Sequence, residues 1–352
     1  MQPINFPQYP SPLKVGSRIA VTAPSSGVEP PLHPRLNLNI AHLRAQGFIV
    51  EEGQCLRNEH ASASAAADVR AAELMGFLLR DDIDAVFPPW GGKLGIELLV
   101  RLDWVALQSA KPKWLIGYSD TSTLMLPLTL RLGWATAHGP CLMDLAPAQN
   151  DALTRSALAV LGTPTGASVM QRQSEKWQSK WTDFQTEPSI AYALTEPTQW
   201  RCLNRPADAV VSFSGRLIGR CIDTLMHLAG TPFGNVAAFI KSSSTEGVIL
   251  YLENAELSPT ELVRAFYRLR WEGWLNGLNG VLIGRSQAPD STGATELRYE
   301  EALQRELVTQ ACPVLIEVDI GHLPPQLMLI NGSVAQVRRS AAEGGSVSQT
   351  LA

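Results

Sequence analysis

The sequence predicts an α/β protein in two parts: an N-terminal parallel sheet covered by helices on both faces, and a strand-richer C-terminal domain of mixed or barrel-like form. Three observations carry this. Short apolar runs alternate with helical patterns through the first half, which is how strand–helix–strand units read in sequence. The second half holds several strand-like runs with glycine at their ends. At 352 residues, the chain exceeds what one hydrophobic core ordinarily holds.

The elements follow in order. Residues 18–23 form an apolar run that stops at Pro24-Ser-Ser-Gly27, a strand and its turn. Leu36, Ile40 and Leu43 recur at helical spacing over 36–46. Residues 48–51 read as a second strand, and the alanine-rich stretch 65–79 as a helix. Residues 85–87 lead into Pro88-Pro-Trp-Gly-Gly92, a strand meeting a glycine turn, after which 95–102 begins another helix. Next comes Lys113-Trp-Leu-Ile-Gly-Tyr-Ser-Asp-Thr-Ser-Thr-Leu124, an apolar strand that stops at a glycine, presents Ser119 at a sharp turn and runs into a helix over 120–132. Pro127 should kink that helix, because it has no N–H for the carbonyl of Thr123. Apolar strands in such alternation imply a sheet buried on both faces.

Residues 163–206 break the pattern. The stretch is polar and carries Trp177, Trp181 and Trp200 with little periodicity, so it reads as a long loop that folds onto something. The tryptophans either pin the loop to its own domain or cap a substrate. Strand patterns resume at 212–219, 248–253, 280–284 and 313–318, with a helix at 260–271, and the small, polar tail after residue 339 reads as frayed. The expected division is 1–165 for the N-terminal domain, 166–207 for the loop or linker, and 208–352 for the C-terminal domain.

Composition narrows the function. The formal charge of −4, with no Lys/Arg run, argues against a nucleic-acid partner. No run approaches the roughly 18–20 apolar residues that span a bilayer, and residues 1–10 lack the basic and apolar regions of a signal peptide. A soluble, cytoplasmic protein is expected. The five cysteines are scattered and contain no C-x-x-C pair, which fits small buried apolar residues better than a zinc site or a disulfide framework.

Chemistry centres on Ser119. A hydroxyl at a strand end and helix N-terminus sits where backbone N–H groups favour developing negative charge. A nucleophilic serine needs a base. Of the six histidines, His322 in Val318-Asp-Ile-Gly-His-Leu-Pro-Pro325 follows a strand and is held by a rigid turn; His138 is the second candidate, and His227 in an apolar helical stretch reads as a structural histidine. The orienting carboxylate is Glu253, at the end of an apolar strand, or Asp319. Oxyanion donors are available from the N–H groups of Gly92 and Asp120, with Gly91 allowing close backbone approach; the same glycine pair also reads simply as a tight turn. Neither the phosphate-loop spacing nor G-x-G-x-x-G is present.

Taken together, Arg18-Ile-Ala-Val-Thr-Ala-Pro-Ser25, Trp90-Gly-Gly-Lys93, the Gly-Tyr-Ser-Asp motif at 117–120, His138-Gly-Pro140, Gly215-Arg-Leu-Ile-Gly219, Leu252-Glu253 and Gly321-His322 resemble the LD-carboxypeptidase family of serine peptidases, which includes the microcin C self-immunity proteins. The likeness runs from about residue 16 to 332. It implies a doubly wound parallel-sheet domain followed by a domain with a small β-barrel, a Ser119–His322–Glu253 triad drawn from both, and a homodimer. The long tryptophan loop and the Gly-Arg-Leu-Ile-Gly run are closer to the microcin-immunity branch. Trp90 and Lys93 stand where many murein-directed members have Arg and an aromatic. No lysine follows Glu253, where the microcin branch often has one.

The expected function is therefore hydrolysis of a terminal amide bond without a metal or organic cofactor. Ser119 is the nucleophile, His322 the base and Glu253 its orienting acid. Gly92 and Asp120 form the oxyanion site, and Gly91, Trp177 and Trp181 lie against substrate. The substrate is a murein tetrapeptide losing D-alanine or a peptidyl- or aminoacyl-nucleotide of the microcin type. The alternative is a non-catalytic small-molecule binding module on the same frame.

Overall fold

The computed structural model describes residues 7–145 and 151–352. The signal-peptide reading of residues 1–10 falls largely on 1–6, outside the described residues. The strands of the first half are β1 (Arg18–Val21), β2 (Ile49–Glu52), β3 (Ala85–Phe87), β4 (Trp114–Gly117) and β5 (Ala137–His138). They continue with β6 (Ser168–Arg172), β7 (Lys176–Trp177), β8 (Glu196–Pro197), β9 (Arg201–Cys202), β10 (Val211–Cys221) and β11 (Val248–Glu253). The last are β12 (Gly280–Gly284), β13 (Val314–Val318), β14 (Leu329–Ile330), β15 (Val334–Ser340) and β16 (Gly344–Thr350). The helices are α1 (His33–Ala45), α2 (Ala67–Leu79), α3 (Trp104–Gln108), α4 (Ser122–Leu132), α5 (Ala152–Leu161), α6 (Ile222–Leu228), α7 (Val236–Ser242), α8 (Pro259–Trp271) and α9 (Tyr299–Leu307).

The first sheet runs β14-β5-β4-β3-β1-β2, parallel from β5 to β2. Its strands, apart from the exposed edge strand β2, are buried on both faces, and alternation sorts their side chains. Ala20, Val86 and Leu115 face a core shared with α2 and α4, whereas Ile19, Val21, Phe87, Trp114 and Ile116 face one shared with α1 and α5. Helices thus cover both faces, as in a doubly wound fold. The strand order turns at β1, whose neighbours are β2 and β3, and the crevice at such a switch point is where ligands bind in open α/β sheets. α4 keeps Pro127 in its interior and stays helical to Leu132, where Gly133 closes it in the left-handed region.

The second sheet runs β6-β16-β15-β10-β11-β12-β13-β9, with β10 to β13 parallel and the outer strands antiparallel. It rolls towards a barrel. Trp200, beside the edge strand β9, lies against Gly345 of β16 near the other edge, and Arg339 of β15 donates to the Trp200 carbonyl at 3.1 Å. The inner face of the roll is filled by Phe213, Leu217, Ile249, Tyr251, Leu282, Leu315 and Val347. The outer face packs under α6, α8 and α9, and that core is continuous with α4 of the first lobe.

Three features differ from the sequence reading. The tail after residue 339 is not frayed: β16 pairs along its whole length with β15 and from Ser346 to Thr350 with β6, its alternate residues Gly345, Val347 and Gln349 being buried. The segment 166–207 contributes the edge strands β6 and β9 to the second sheet. A late strand, β14, crosses back and pairs antiparallel with β5.

Candidate active site

Ser119 follows β4 at the carboxyl edge of the first sheet. Its φ of +60° is unusual for a residue with a side chain, and such strain at a strand-to-helix turn exposes the hydroxyl. A 3₁₀ turn over Ser119–Thr121 leads directly into α4. Asp120 is buried and braces the turn: its carboxylate accepts from the Gly95 N–H at 2.7 Å, from the Ser25 hydroxyl at 2.5 Å and from the Thr123 hydroxyl at 3.1 Å. The Ser25 contact comes from the loop after β1, so the ends of β1, β3 and β4 meet at one point. Gly91 lies directly against Ser119. A Cβ there would stand 2.7 Å from Ser119 Cβ and 2.8 Å from both Ser119 Oγ and Asp120 N, so only glycine brings this backbone so close.

Glu253 and His322 arrive from the second sheet. Glu253 closes β11 and is fully buried, and His322 lies four residues beyond β13. His322 Nδ1 is 2.9 Å from Glu253 Oε2. Gly321, at φ +97°, makes this possible: a Cβ there would stand 2.5 Å from Glu253 Oε2. Burial pulls the imidazole pKa down, but the Glu253 charge and hydrogen bond, with Asp223 and Glu256 further off, outweigh it and raise the pKa above its ordinary value. The imidazole meets the ring of Tyr118 edge-on at 4.9 Å between centroids, which sets it beside the residue that precedes Ser119. Among the described residues no hydrogen bond joins Ser119 to His322.

The other candidates sort themselves. Asp319 is turned away: its carboxylate takes Arg285 at 2.6 Å, Trp200 Nε1 at 2.8 Å and the Ser174 hydroxyl at 2.5 Å. His138 is buried between Tyr118 and Tyr251, neither ring nitrogen has a partner among the described residues, and burial holds its pKa well below the usual value. It is a neutral ring under the site. His227 is not the buried structural histidine that its apolar surroundings predict. It projects from α6 and is exposed, lining the cleft.

That cleft, about 300 Å³, is lined by Gly92, Ser119, Asp120 and Thr123 from one lobe and by Cys221, Asp223, His227 and Glu256 from the other. Neither Trp177 nor Trp181 lines it. Trp177 lies half-buried beneath the Arg285 guanidinium, and Trp181 packs edge-on against Phe184. Sequence reasoning missed three participants. Cys221 ends β10 in register with Glu253, and burial pushes its thiol pKa up. Asp223 accepts the N–H groups of Ala255, Glu256 and Leu257, fixing the loop after the carboxylate. Lys93 forms an ion pair with Glu256 across the cleft. Only Lys93 had a local signal, its place beside Gly91-Gly92. All five cysteines are buried and free, as expected.

With this geometry in view, the chain's relatives are informative. Residues 19–139 match the LD-carboxypeptidase N-terminal domain and residues 214–337 the LD-carboxypeptidase C-terminal domain, together more than two thirds of the chain. A probable murein peptide carboxypeptidase of Bacillus subtilis is 26% identical over 327 residues, 93% of this chain and 90% of that protein. The microcin C7 self-immunity protein MccF of Escherichia coli is 24% identical over 328 residues, 92% of this chain and 91% of the other. A solved structure of MccF with glutamyl sulfamoyl guanosine shares the fold at a TM-score of 0.81, with 22% identity and 98% of each chain covered. An MccF-like protein from Bacillus anthracis str. Ames gives a TM-score of 0.81 at 21% identity, covering 97% of this chain and 99% of that one. Both domain matches fall on the lobes that hold Ser119, Glu253 and His322, and the chain belongs to the LD-carboxypeptidase family.

Proposed function

We propose that the protein is a serine carboxypeptidase that hydrolyses a terminal amide bond through Ser119, His322 and Glu253. The observation that carries this is the Glu253–His322 hydrogen bond, set beside a strained serine turn from the opposite lobe. With Nδ1 committed to the carboxylate, Nε2 is the free face of the imidazole. Nε2 accepts the Ser119 proton as Oγ attacks the carbonyl, then returns it to the leaving amine. Such catalytic hydrogen bonds commonly tighten only when substrate is bound. Glu253 stabilises the imidazolium that forms between these steps. The N–H groups of Gly92 and Asp120 flank the attacked carbonyl and stabilise its oxyanion, each donor lowering the barrier by roughly 3 kcal/mol. Water then repeats the sequence on the acyl-enzyme.

Two substrate types are supported: a murein tetrapeptide, by the name of a murein tetrapeptide carboxypeptidase of Pseudomonas aeruginosa, and an aminoacyl-nucleotide of the microcin type, by the MccF complexes with glutamyl sulfamoyl guanosine and aspartyl sulfamoyl adenosine. Assaying purified protein on both distinguishes them. Ser119→Ala is expected to abolish turnover and labelling by a serine-directed phosphonate, with the fold retained. Wild-type activity in that variant overturns the reading, and a wild-type protein that binds but neither turns over nor labels is a binding module. The resemblance also supports a cytoplasmic homodimer, which sedimentation and fractionation test.

A further inference from the structure

We propose that Lys93 is the specificity residue of this site, and that it receives the C-terminal carboxylate of the peptide being cleaved. This rests on the reading of Ser119 as the nucleophile. Among the described residues lining the cleft, Lys93 is the one lysine or arginine. It follows Gly92 directly, so it stands one residue from a proposed oxyanion donor. In a carboxypeptidase substrate the terminal carboxylate is two bonds from the leaving nitrogen, within a lysine side chain's length of the attacked carbonyl.

The carboxylates of the cleft are unequally engaged. Asp120 is used by Ser25, Gly95 and Thr123, Asp223 by three backbone N–H groups, and Glu261 by the cap of α8. Glu256 holds Lys93 from the opposite lobe, and the two side chains are 62% and 64% exposed. An ion pair so open to water contributes little and is readily exchanged. Glu256 therefore occupies the lysine in the empty site and gives way to a substrate carboxylate, which gains the charge-assisted hydrogen bond without first desolvating an unpaired cation. A substrate whose terminus is amidated has nothing to exchange.

The test compares kcat/KM for one peptide as its free acid and as its C-terminal amide, in wild type, Lys93→Met and Glu256→Gln. Both side chains are exposed, so these variants should fold. Lys93→Met is expected to lose about 10- to 100-fold on the free acid and little on the amide, the range for loss of a hydrogen bond to a charged group. Glu256→Gln should lower KM for the free acid several-fold. An unchanged acid-to-amide ratio in Lys93→Met overturns the assignment, as does a loss confined to an aminoacyl sulfamate with the free-acid peptide unaffected. Ser119→Ala, run alongside, separates the two claims: activity there refutes the nucleophile, whereas inactivity there with an unchanged ratio refutes only Lys93.

Discussion

His322 and Glu253 meet at 2.9 Å across the ends of two strands of one sheet, while the first lobe supplies the ring of Tyr118 against the other side of the imidazole. The imidazole is thus hydrogen-bonded by the second lobe and packed edge-on by the first. Glu253→Gln keeps the shape but removes the charge that stabilises the imidazolium and fixes its tautomer. We expect kcat to fall by about 10³- to 10⁴-fold with little change in KM, measured under saturating substrate.

The same pair dictates a pH profile. In the proposed mechanism the base is the neutral imidazole, and Glu253 favours the charged one, so kcat/KM should fall as pH drops through a midpoint above 6.5. In Glu253→Gln the residual activity should show that midpoint displaced downwards. A profile flat from pH 5 to 8 would count against His322 as the base. For stability, the raised pKa means that the pair contributes below the unfolded-state pKa of His322 and loses its contribution as pH rises through the folded one.

His138 has the opposite sign. Burial keeps it neutral, so the unfolded chain takes a proton near pH 6.5 that the folded chain refuses. Stability should decline below that pH by up to roughly 1.4 kcal/mol per unit. Since neither ring nitrogen has a partner among the described residues, His138→Phe should cost little at pH 8 and flatten the acid limb, as read by urea titrations at pH 5 and pH 8.

Gly321→Ala tests the packing behind His322. The added Cβ would meet Glu253 Oε2 at 2.5 Å, and a φ of +97° disfavours any side chain. We expect a loss of about 1–3 kcal/mol in stability and, because the carboxylate must move, at least about 100-fold in kcat. Wild-type kinetics in this variant would show that the carboxylate's position is not critical.

Asp319→Asn tests the roll of the second sheet. Its carboxylate joins Ser174, just after the edge strand β6, to Trp200, just before the opposite edge strand β9, and pairs with Arg285 at the end of the inner strand β12; both members of the ion pair are buried. Leaving Arg285 unpaired should destabilise the protein by about 3–5 kcal/mol in chemical denaturation.

Much of this was legible in sequence, for a physical reason. The serine turn is local: an apolar strand, a glycine and a helix start lie within a dozen residues, and their geometry follows from adjacent side chains. The parallel sheet was legible from alternation. Pairing at long range was not. Asp319 and Glu253 both sit at strand ends, and which one reaches His322 depends on how the strands lie side by side, which neither segment encodes alone. His227 looked buried because its neighbours are apolar, yet α6 buries only the face of Ile222, Leu225 and Leu228, and His227 falls outside it. The tail looked frayed because its residues are small, although their alternation is that of a strand. Lys93 and Glu256 belong to different lobes, and nothing near either residue announces the other.

The crossing of β14 bears on how the molecule comes to be assembled. Met328 and Ile330 pack into the core of the first lobe while Leu329 between them packs into the second, so a single dipeptide strand is stitched through both. The first sheet therefore lacks its outermost strand until β10 to β13 have been synthesised. A ribosome-bound fragment ending after β5 would carry the serine turn on a sheet with an open flank, and would be vulnerable to proteases at the edge that β14 later seals.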